Sequence, residues 1–401
     1  MNILMMTLLY PEDDMEETLQ NARDKMQYQI HNYQRAFEKG IRGHLRPRET
    51  LTLLNSLPVG IFPFQYRKLF LRGGERDHHT IRSLSCVNLP WIKQRMRYKQ
   101  AAFQLQKWLL EAPENRTVLI YTQYLPYMKA VAKVKQRFPD LKAALIVTDL
   151  PKEWGLASGR TGLMKRLEDH FADQSLKLCQ AMDGYVLLTE PMAEVLRIEG
   201  KPRIVLEGLI LEKAEDPKPA LAPQERFTVL YTGTLEPDLG IEELLNAFER
   251  MPEAELWICG QGSMGERVRS CAEKRENIRY FGFVAQKEAL ALQARASALI
   301  NPRQPNGMYT KYSFPSKTLE YLRSGKPVLC YRLEGIPHDY DPYLRYIQQP
   351  GSEGICQAVR GVMALSPEER EEIGRRGRDY VLAHKNPHVQ CERLMTLLRN
   401  L

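Results

Sequence analysis

From Asn2 onward, short continuous runs of β-branched and aliphatic residues alternate with stretches of helical polarity. Asn2–Leu9, Leu51–Leu54, Thr117–Thr122 (TVLIYT), Ala143–Thr148 (AALIVT) and Gly184–Thr189 (GYVLLT) read as strands. So do Phe227–Tyr231, Glu255–Cys259, Ile278–Phe281, Ala298–Asn301 and Val328–Tyr331. Helical patterns fall between them, among them Met26–Lys39 (stopped by Gly40), Tyr127–Phe138, Leu163–Ala181, Ile241–Arg250, Gly265–Lys274 and Pro367–Ala383. A strand that is apolar throughout, rather than at every second residue, has both faces covered, and parallel sheets wrapped by crossover helices meet that demand. At 401 residues the chain is long enough for two such domains. The alternation breaks once, at Glu212–Gln224, where EDPKPALAPQ carries three prolines and reads as a linker. The expectation is therefore an α/β chain with two Rossmann-like, doubly wound domains, residues 1–210 and 211–380, facing an interdomain cleft. Ligands should bind beyond the carboxyl ends of the strands.

Charge narrows the partners. The formal net charge is +8, and Ile41–Leu110 alone holds thirteen Lys and Arg against three acids. Such a block suits phosphorylated substrates, an anionic membrane surface or nucleic acid, or is simply a solvated face. Nucleic acid is the weakest of these, since no helix-turn-helix or zinc-finger spacing and no aromatic-interleaved RNA motif is present. Trp91–Leu110 reads as an amphipathic helix, either packed on the core, the preferred reading, or lying on a membrane. No apolar run reaches the roughly 20 residues of a membrane span. The opening MNILMMTLLYPEDD reads as a first strand, not a signal peptide. Seven scattered cysteines without a C-x-x-C pair argue against disulfides and zinc and for the cytoplasm.

The segment richest in chemistry is Ile300–Leu329, INPRQPNGMYTKYSFPSKTLEYLRSGKPVL. A strand ends, a loop carries Arg303, Lys311 and Tyr312, and a helix begins at SFPSK with Ser313 or Ser316 available as cap. Free N–H groups and the positive dipole end at Ser316–Thr318, joined by Arg303 and Lys317, make a phosphate site. Glu320, one turn further, is placed to accept from ribose hydroxyls. The alternative is an ordinary capped surface helix with a Lys317–Glu320 ion pair. Leu230–Phe248 (LYTGTLEPDLGIEELLNAF) supplies Gly233 and Thr234 in a glycine turn after a strand. ELWICGQGS adds a strand followed by G-x-G at Gly260, and IRYFGFV a turn at Val284 whose main chain suits a flat base. Gln123 and Asp149 sit at strand ends in the first domain, as acceptor contacts or as strand-end caps. Asp339 and Asp341 form a D-x-D triplet in a Tyr- and Pro-rich loop, weak as a metal site.

Taken in order, TGTL, GI..LL.AF, strand–GxG, FGFV and PSKTLEYLRSGKPV resemble the donor half of retaining GT-B glycosyltransferases of family 4 (group 1), of the bacterial capsule and exopolysaccharide type. The likeness is specific over Phe227–Pro337. It implies a GT-B fold with a nucleotide sugar in the C-terminal domain, an acceptor in the N-terminal one, and a last helix, 381–401, returning to the N-terminal domain. Glu320 matches the second glutamate of the family's Glu-x7-Glu and would hold the ribose. Tyr312 stands where the first glutamate, the sugar contact, belongs. Thr234 and Leu239 stand where the family often has Arg and Lys, leaving Arg303 and Lys317 as the catalytic cations. The resemblance further implies transfer with retention, no metal and no cofactor beyond the nucleotide-sugar donor, a UDP-sugar before a GDP-sugar. The acceptor would be a glycan or a lipid-diphosphate-linked one at the inner face of the plasma membrane. A 2-epimerase on the same scaffold and a non-catalytic relative are the alternatives.

Overall fold

The computed structural model describes residues 1–24, 26–111, 114–150, 163–210, 226–305 and 310–401. The proline-rich stretch read as a linker lies outside them. The chain divides into two compact units, Met1–Leu211 with Pro387–Leu401, and Glu212–Asn386.

In the first unit the strands are β1 (Asn2–Thr7), β2 (Thr50–Asn55), β3 (Phe70–Leu71), β4 (Gly74–Arg76), β5 (Ile81–Ser83), β6 (Cys86–Val87), β7 (Arg116–Tyr121), β8 (Lys142–Val147), β9 (Gly184–Leu187) and β10 (Arg203–Val205). Eight of them form one sheet in the order β10-β9-β8-β7-β1-β2-β5-β4, parallel except for the β4–β5 pair. Every residue of β1 is buried, as a strand covered on both faces must be. Chain order reverses on either side of β1, between β2 and β7. The 70–87 stretch escapes the sequence reading because its strands are only two or three residues long.

The second unit is a six-stranded, wholly parallel sheet of β11 (Phe227–Thr232), β12 (Ala254–Cys259), β13 (Ile278–Tyr280), β14 (Ala298–Asn301), β15 (Val328–Cys330) and β16 (Leu344–Tyr346). Its order, β13-β12-β11-β14-β15-β16, is that of a dinucleotide-binding Rossmann sheet, with the switch point between β11 and β14.

The helix expected to stop at Gly40 runs from Tyr28 to Gly43. Gly40 serves packing instead: a Cβ there would fall 2.4 Å from the Cys391 sulfur on the helix Pro387–Arg399. Cys391, Leu394, Met395 and Leu398 of that helix share a core with Ile3, Met5, Phe37 and Leu53. Arg399 then donates to Glu49 at 2.7 Å and to the His44 carbonyl at 2.8 Å. Its guanidinium holds the Glu49 carboxyl below the usual carboxylate range.

The basic block does not form one solvated face. Arg42 pairs with Glu38, Lys68 with Glu17 and Arg76 with Asp14. Lys93 and Arg97, each 3% exposed, lie on the inner side of the helix Ile92–Glu111. There they clamp the loop after β2: Lys93 Nζ donates to the carbonyls of Val59 (2.5 Å) and Gly60 (3.3 Å), and Arg97 to those of Leu57 (2.5 Å) and to the Tyr124 hydroxyl (2.8 Å). Burial, helped by Arg97, pulls the Lys93 ammonium down to about 7. Above that pH the folded chain has released a proton that the unfolded chain keeps up to its ordinary value near 10.5, so this group makes stability rise with pH across that window. Urea unfolding at pH 7 and pH 9.5 should show the native protein gaining at least about 1 kcal/mol relative to Lys93→Met. Parallel behaviour of the two proteins would mean Lys93 stays charged when folded.

Candidate functional site

The second unit's candidate residues lie in loops that leave the carboxyl ends of its strands. Gly233 donates its N–H to the Cys259 carbonyl at 2.9 Å, and Gly260 donates to the Gly282 carbonyl at 2.8 Å, so three successive strand-end loops are stitched side by side. Gly260 has φ +152°, and a Cβ on it would meet the Gly233 carbonyl oxygen at 1.8 Å. Only glycine fits there. Gly240, at φ +77°, lets the helix Ile241–Glu249 begin against Pro302, whose oxygen would lie 2.1 Å from any Cβ. The loops leaving β11 and β14 therefore touch at the switch point. Arg303 emerges there, half-buried, its N–H 3.4 Å from Asn301 Oδ1.

The helix Ser316–Arg323 starts at the same end of the sheet. Neither Ser313 nor Ser316 caps it: Pro315 is the N-cap, and no side chain accepts from the first turn. Proline's fixed φ makes the turn, and the helix opens without an acid in its first turn. Ser316 is exposed, as a ligand-facing start requires. Thr318 is not available: its side chain is buried and its N–H goes to the Pro315 carbonyl at 2.8 Å. Lys317 Nζ lies 3.0 Å from both oxygens of Glu320, the pair offered by the plainer reading of this helix. Glu320 Oε1 also accepts from Gln293 Nε2 at 2.6 Å. Lys317 is near enough to Cys259 to oppose the burial that pushes that thiol up to about 12. Tyr312 is half-buried under the Lys311 ammonium, 5.8 Å from its ring centre. Val284 follows the glycine turn at Gly282 (φ +68°), beside the exposed Phe283. In the D-x-D loop Asp341 is taken by Tyr346 OH (2.6 Å) and His338 Nδ1 (2.9 Å), and no described residues form a three-ligand acidic, His or Cys cluster.

In the first unit, Gln123 and Asp149 follow β7 and β8 at the carboxyl end of the sheet. The Gln123 amide nitrogen is buried with no hydrogen-bond partner among the described residues. Its neighbour Thr122 sits at φ +51°, an uncommon conformation for a β-branched residue, with its hydroxyl 3.0 Å from that of Thr148. Desolvation raises the Asp149 carboxyl pKa, against a hydrogen bond from Thr148.

Residues 212–380 match the family model of glycosyl transferases group 1. No curated protein matches the sequence. Among solved structures, sucrose-phosphate synthase from Thermosynechococcus elongatus superposes with a TM-score of 0.61 at 13% identity, covering 100% of this chain and 99% of that one. The apo structure of OtsA gives 0.63 at 10% identity with 100% and 99% coverage. The E. coli trehalose-6-phosphate structure bound with UDP-2-fluoro glucose gives 0.61 at 10%, covering 99% of each. The fold is thus α/β of the GT-B kind.

Sequence reasoning missed the residue that holds this site together. Tyr321, fully buried, accepts from the Thr232 N–H at 2.8 Å and donates to the Thr232 carbonyl at 3.0 Å. It fixes the helix Ser316–Arg323 to the last residue of β11. The only signal was an aromatic residue on the inward side of a helix, which reads as ordinary core. Tyr321→Phe leaves both Thr232 backbone groups buried without this partner, and thermal or urea unfolding should show a loss of about 1–3 kcal/mol. An unchanged midpoint would mean that other groups or water replace the phenol.

Proposed function

We propose that the chain is a retaining glycosyltransferase of family 4. It moves a sugar from a nucleotide diphosphate sugar, a UDP-sugar before a GDP-sugar, to a glycan or lipid-diphosphate-linked acceptor in cell-surface polysaccharide synthesis. The observation that carries this reading is the coincidence of the group 1 match, residues 212–380, with a Rossmann-ordered sheet whose switch point collects Gly233, Gly260, Arg303 and the start of the helix Ser316–Arg323.

Breaking the bond between an anomeric carbon and a diphosphate gathers negative charge on the departing phosphate. The site must hold cations and N–H dipoles where that charge develops. In this reading Arg303 and Lys317 supply the cations, and the helix start at Ser316 supplies N–H groups and the positive dipole end. Gly233 and Gly260 bring main chain close to the ligand, and Thr234 and Tyr312 lie along the donor. The turn at Val284 meets the base. The Lys317–Glu320 pair does not obstruct this. Both side chains are about a third exposed, and such a pair is worth roughly 0.2–1 kcal/mol. A charge-assisted bond to phosphate is worth about 1.5–3 kcal/mol, so an arriving diphosphate wins Lys317. Glu320, still held by Gln293, is then released to accept from the ribose hydroxyls. The leaving phosphate helps to deprotonate the acceptor hydroxyl, and no protein nucleophile is called for. The buried Gln123 amide, with Asp149 following the neighbouring strand β8, is the acceptor-side donor we favour in the first unit.

The membrane reading rests on the helix Ile92–Glu111, which has two working faces. Lys93, Arg97, Ala101, Leu105 and Trp108 are buried, whereas Ile92, Phe103 and Leu110 are exposed in a stripe interleaved with Arg95, Lys99 and Lys107. Among the described residues no helix is long and apolar enough to cross a membrane. The stripe suits peripheral attachment to an anionic inner-membrane surface from the cytoplasmic side.

Calorimetry with UDP and GDP tests the donor site, and binding of neither removes the enzyme reading. Lys317→Ala and Arg303→Ala should each lower turnover at least tenfold, about 1.4 kcal/mol or more, with an unchanged melting temperature. Full activity in both variants would refute their assignment. Sedimentation with phosphatidylglycerol vesicles should show binding that weakens with salt, and Phe103→Ala with Leu110→Ala should reduce it several-fold. Equal binding to neutral vesicles would remove the electrostatic part.

A further inference from the structure

A cavity of about 610 Å³ lies in the first unit at the sheet edge, between β4, the end of β5 and the helix Ile92–Glu111. It is separate from the switch point between β1 and β7, and none of its residues has a part in the proposed transfer. Its volume falls in the roughly 300–1,000 Å³ range of small-molecule sites, and the side chains lining it are, Leu84 apart, polar or charged. Arg72, Arg82 and Lys107 bring three positive charges, and Gln100, Gln104 and Ser85 bring neutral polar groups. The lining has one acid, Glu75, which is engaged by His79.

Local packing builds the cavity. A Cβ on Gly73 would fall 2.6 Å from the Ser85 N–H nitrogen, so glycine lets the start of β4 close onto the end of β5. Gln100 Oε1 accepts from the Ser85 N–H at 3.0 Å, and its amide donates to Ser85 Oγ at 3.0 Å, locking the wall to the helix. Arg82 reaches across to Gln104 Oε1 at 3.2 Å. Lys107 is one turn beyond Gln104 on the same helix face, and its link to Glu111 is a long 3.6 Å contact between exposed groups. The charge is felt locally: the Glu75 carboxyl is held below the usual range by His79 first, with Arg82 and Lys107 adding to it.

We propose that this cavity binds a phosphate ester of a polyol, the phosphate held by Arg82, Lys107 and Arg72 and the hydroxyls by Gln104 and Ser85. Arginine's planar fork suits a phosphate, and amide and hydroxyl groups suit sugar or glycerol hydroxyls. A phosphorylated sugar and a phospholipid headgroup share that chemistry.

Calorimetry on the full chain with glucose 6-phosphate, glucose and inorganic phosphate tests this. Glucose 6-phosphate should bind, more weakly at high salt, glucose should not, and inorganic phosphate should bind at least fivefold more weakly than the ester. Arg82→Ala and Lys107→Glu, both at solvent-accessible positions, should each weaken the ester at least tenfold while the melting temperature holds. If phosphatidylglycerol vesicles displace glucose 6-phosphate, and Arg82→Ala prevents this, the source is a headgroup; failure to displace it makes the ligand a soluble sugar phosphate. Absence of binding by both esters, indifference to Arg82→Ala and Lys107→Glu, or displacement by UDP overturns the proposal. UDP binding is a separate reading, so a silent donor site with an occupied cavity would remove the transferase and leave this site standing.

Discussion

Parallel strands cannot be joined by tight turns, and that constraint shapes both units. Each parallel strand must be returned by a crossover, so all strands but the antiparallel β4 run the same way within each main sheet, and their carboxyl ends collect on one side. In the second unit the reversal of strand order between β11 and β14 parts the crossovers and leaves a crevice there. Glycine makes the crevice tight: Gly260 and Gly240 admit neighbouring carbonyls that any Cβ would strike. The Tyr321–Thr232 hydrogen bonds then set where the helix Ser316–Arg323 stands relative to β11.

Cations in this chain do three different things. Lys93 and Arg97 are structural, with carbonyls and a phenol replacing their water. Arg42, Lys68 and Arg76 are balanced by acids on neighbouring elements. Arg72, Arg82 and Lys107 line a cavity whose one acid is otherwise engaged. A charge count along the sequence makes these groups equivalent, and only their burial and partners separate them. The unevenness of the charge is thus partly an internal device and partly a surface one.

The strand-rich segments were legible because an apolar run of five or six residues, β-branched and bounded by turn residues, has few other uses. TVLIYT, AALIVT and FTVLY all became central strands. The two- and three-residue strands of 70–87 carry no such signal, since so few residues show no periodicity of their own. Gly40 shows the ambiguity of a single residue: read along the chain it ends a helix, and read in space it admits Cys391. The helix start at Ser316 was legible through Pro315, but its cap was not, because Ser313 and Ser316 look equally suited.

The sequence alone determined the α/β class, the positions of the buried strands and the helix start at Ser316, because periodicity, β-branching and proline act over a few residues. Tertiary structure decided the strand order, the bond from Gln293 to Glu320, the burial of the Gln123 amide without a partner among the described residues, and the cavity around Arg82. Each of these depends on groups from separate elements meeting in space, and a hydrogen bond or a cavity wall across such distances leaves no local pattern in the chain.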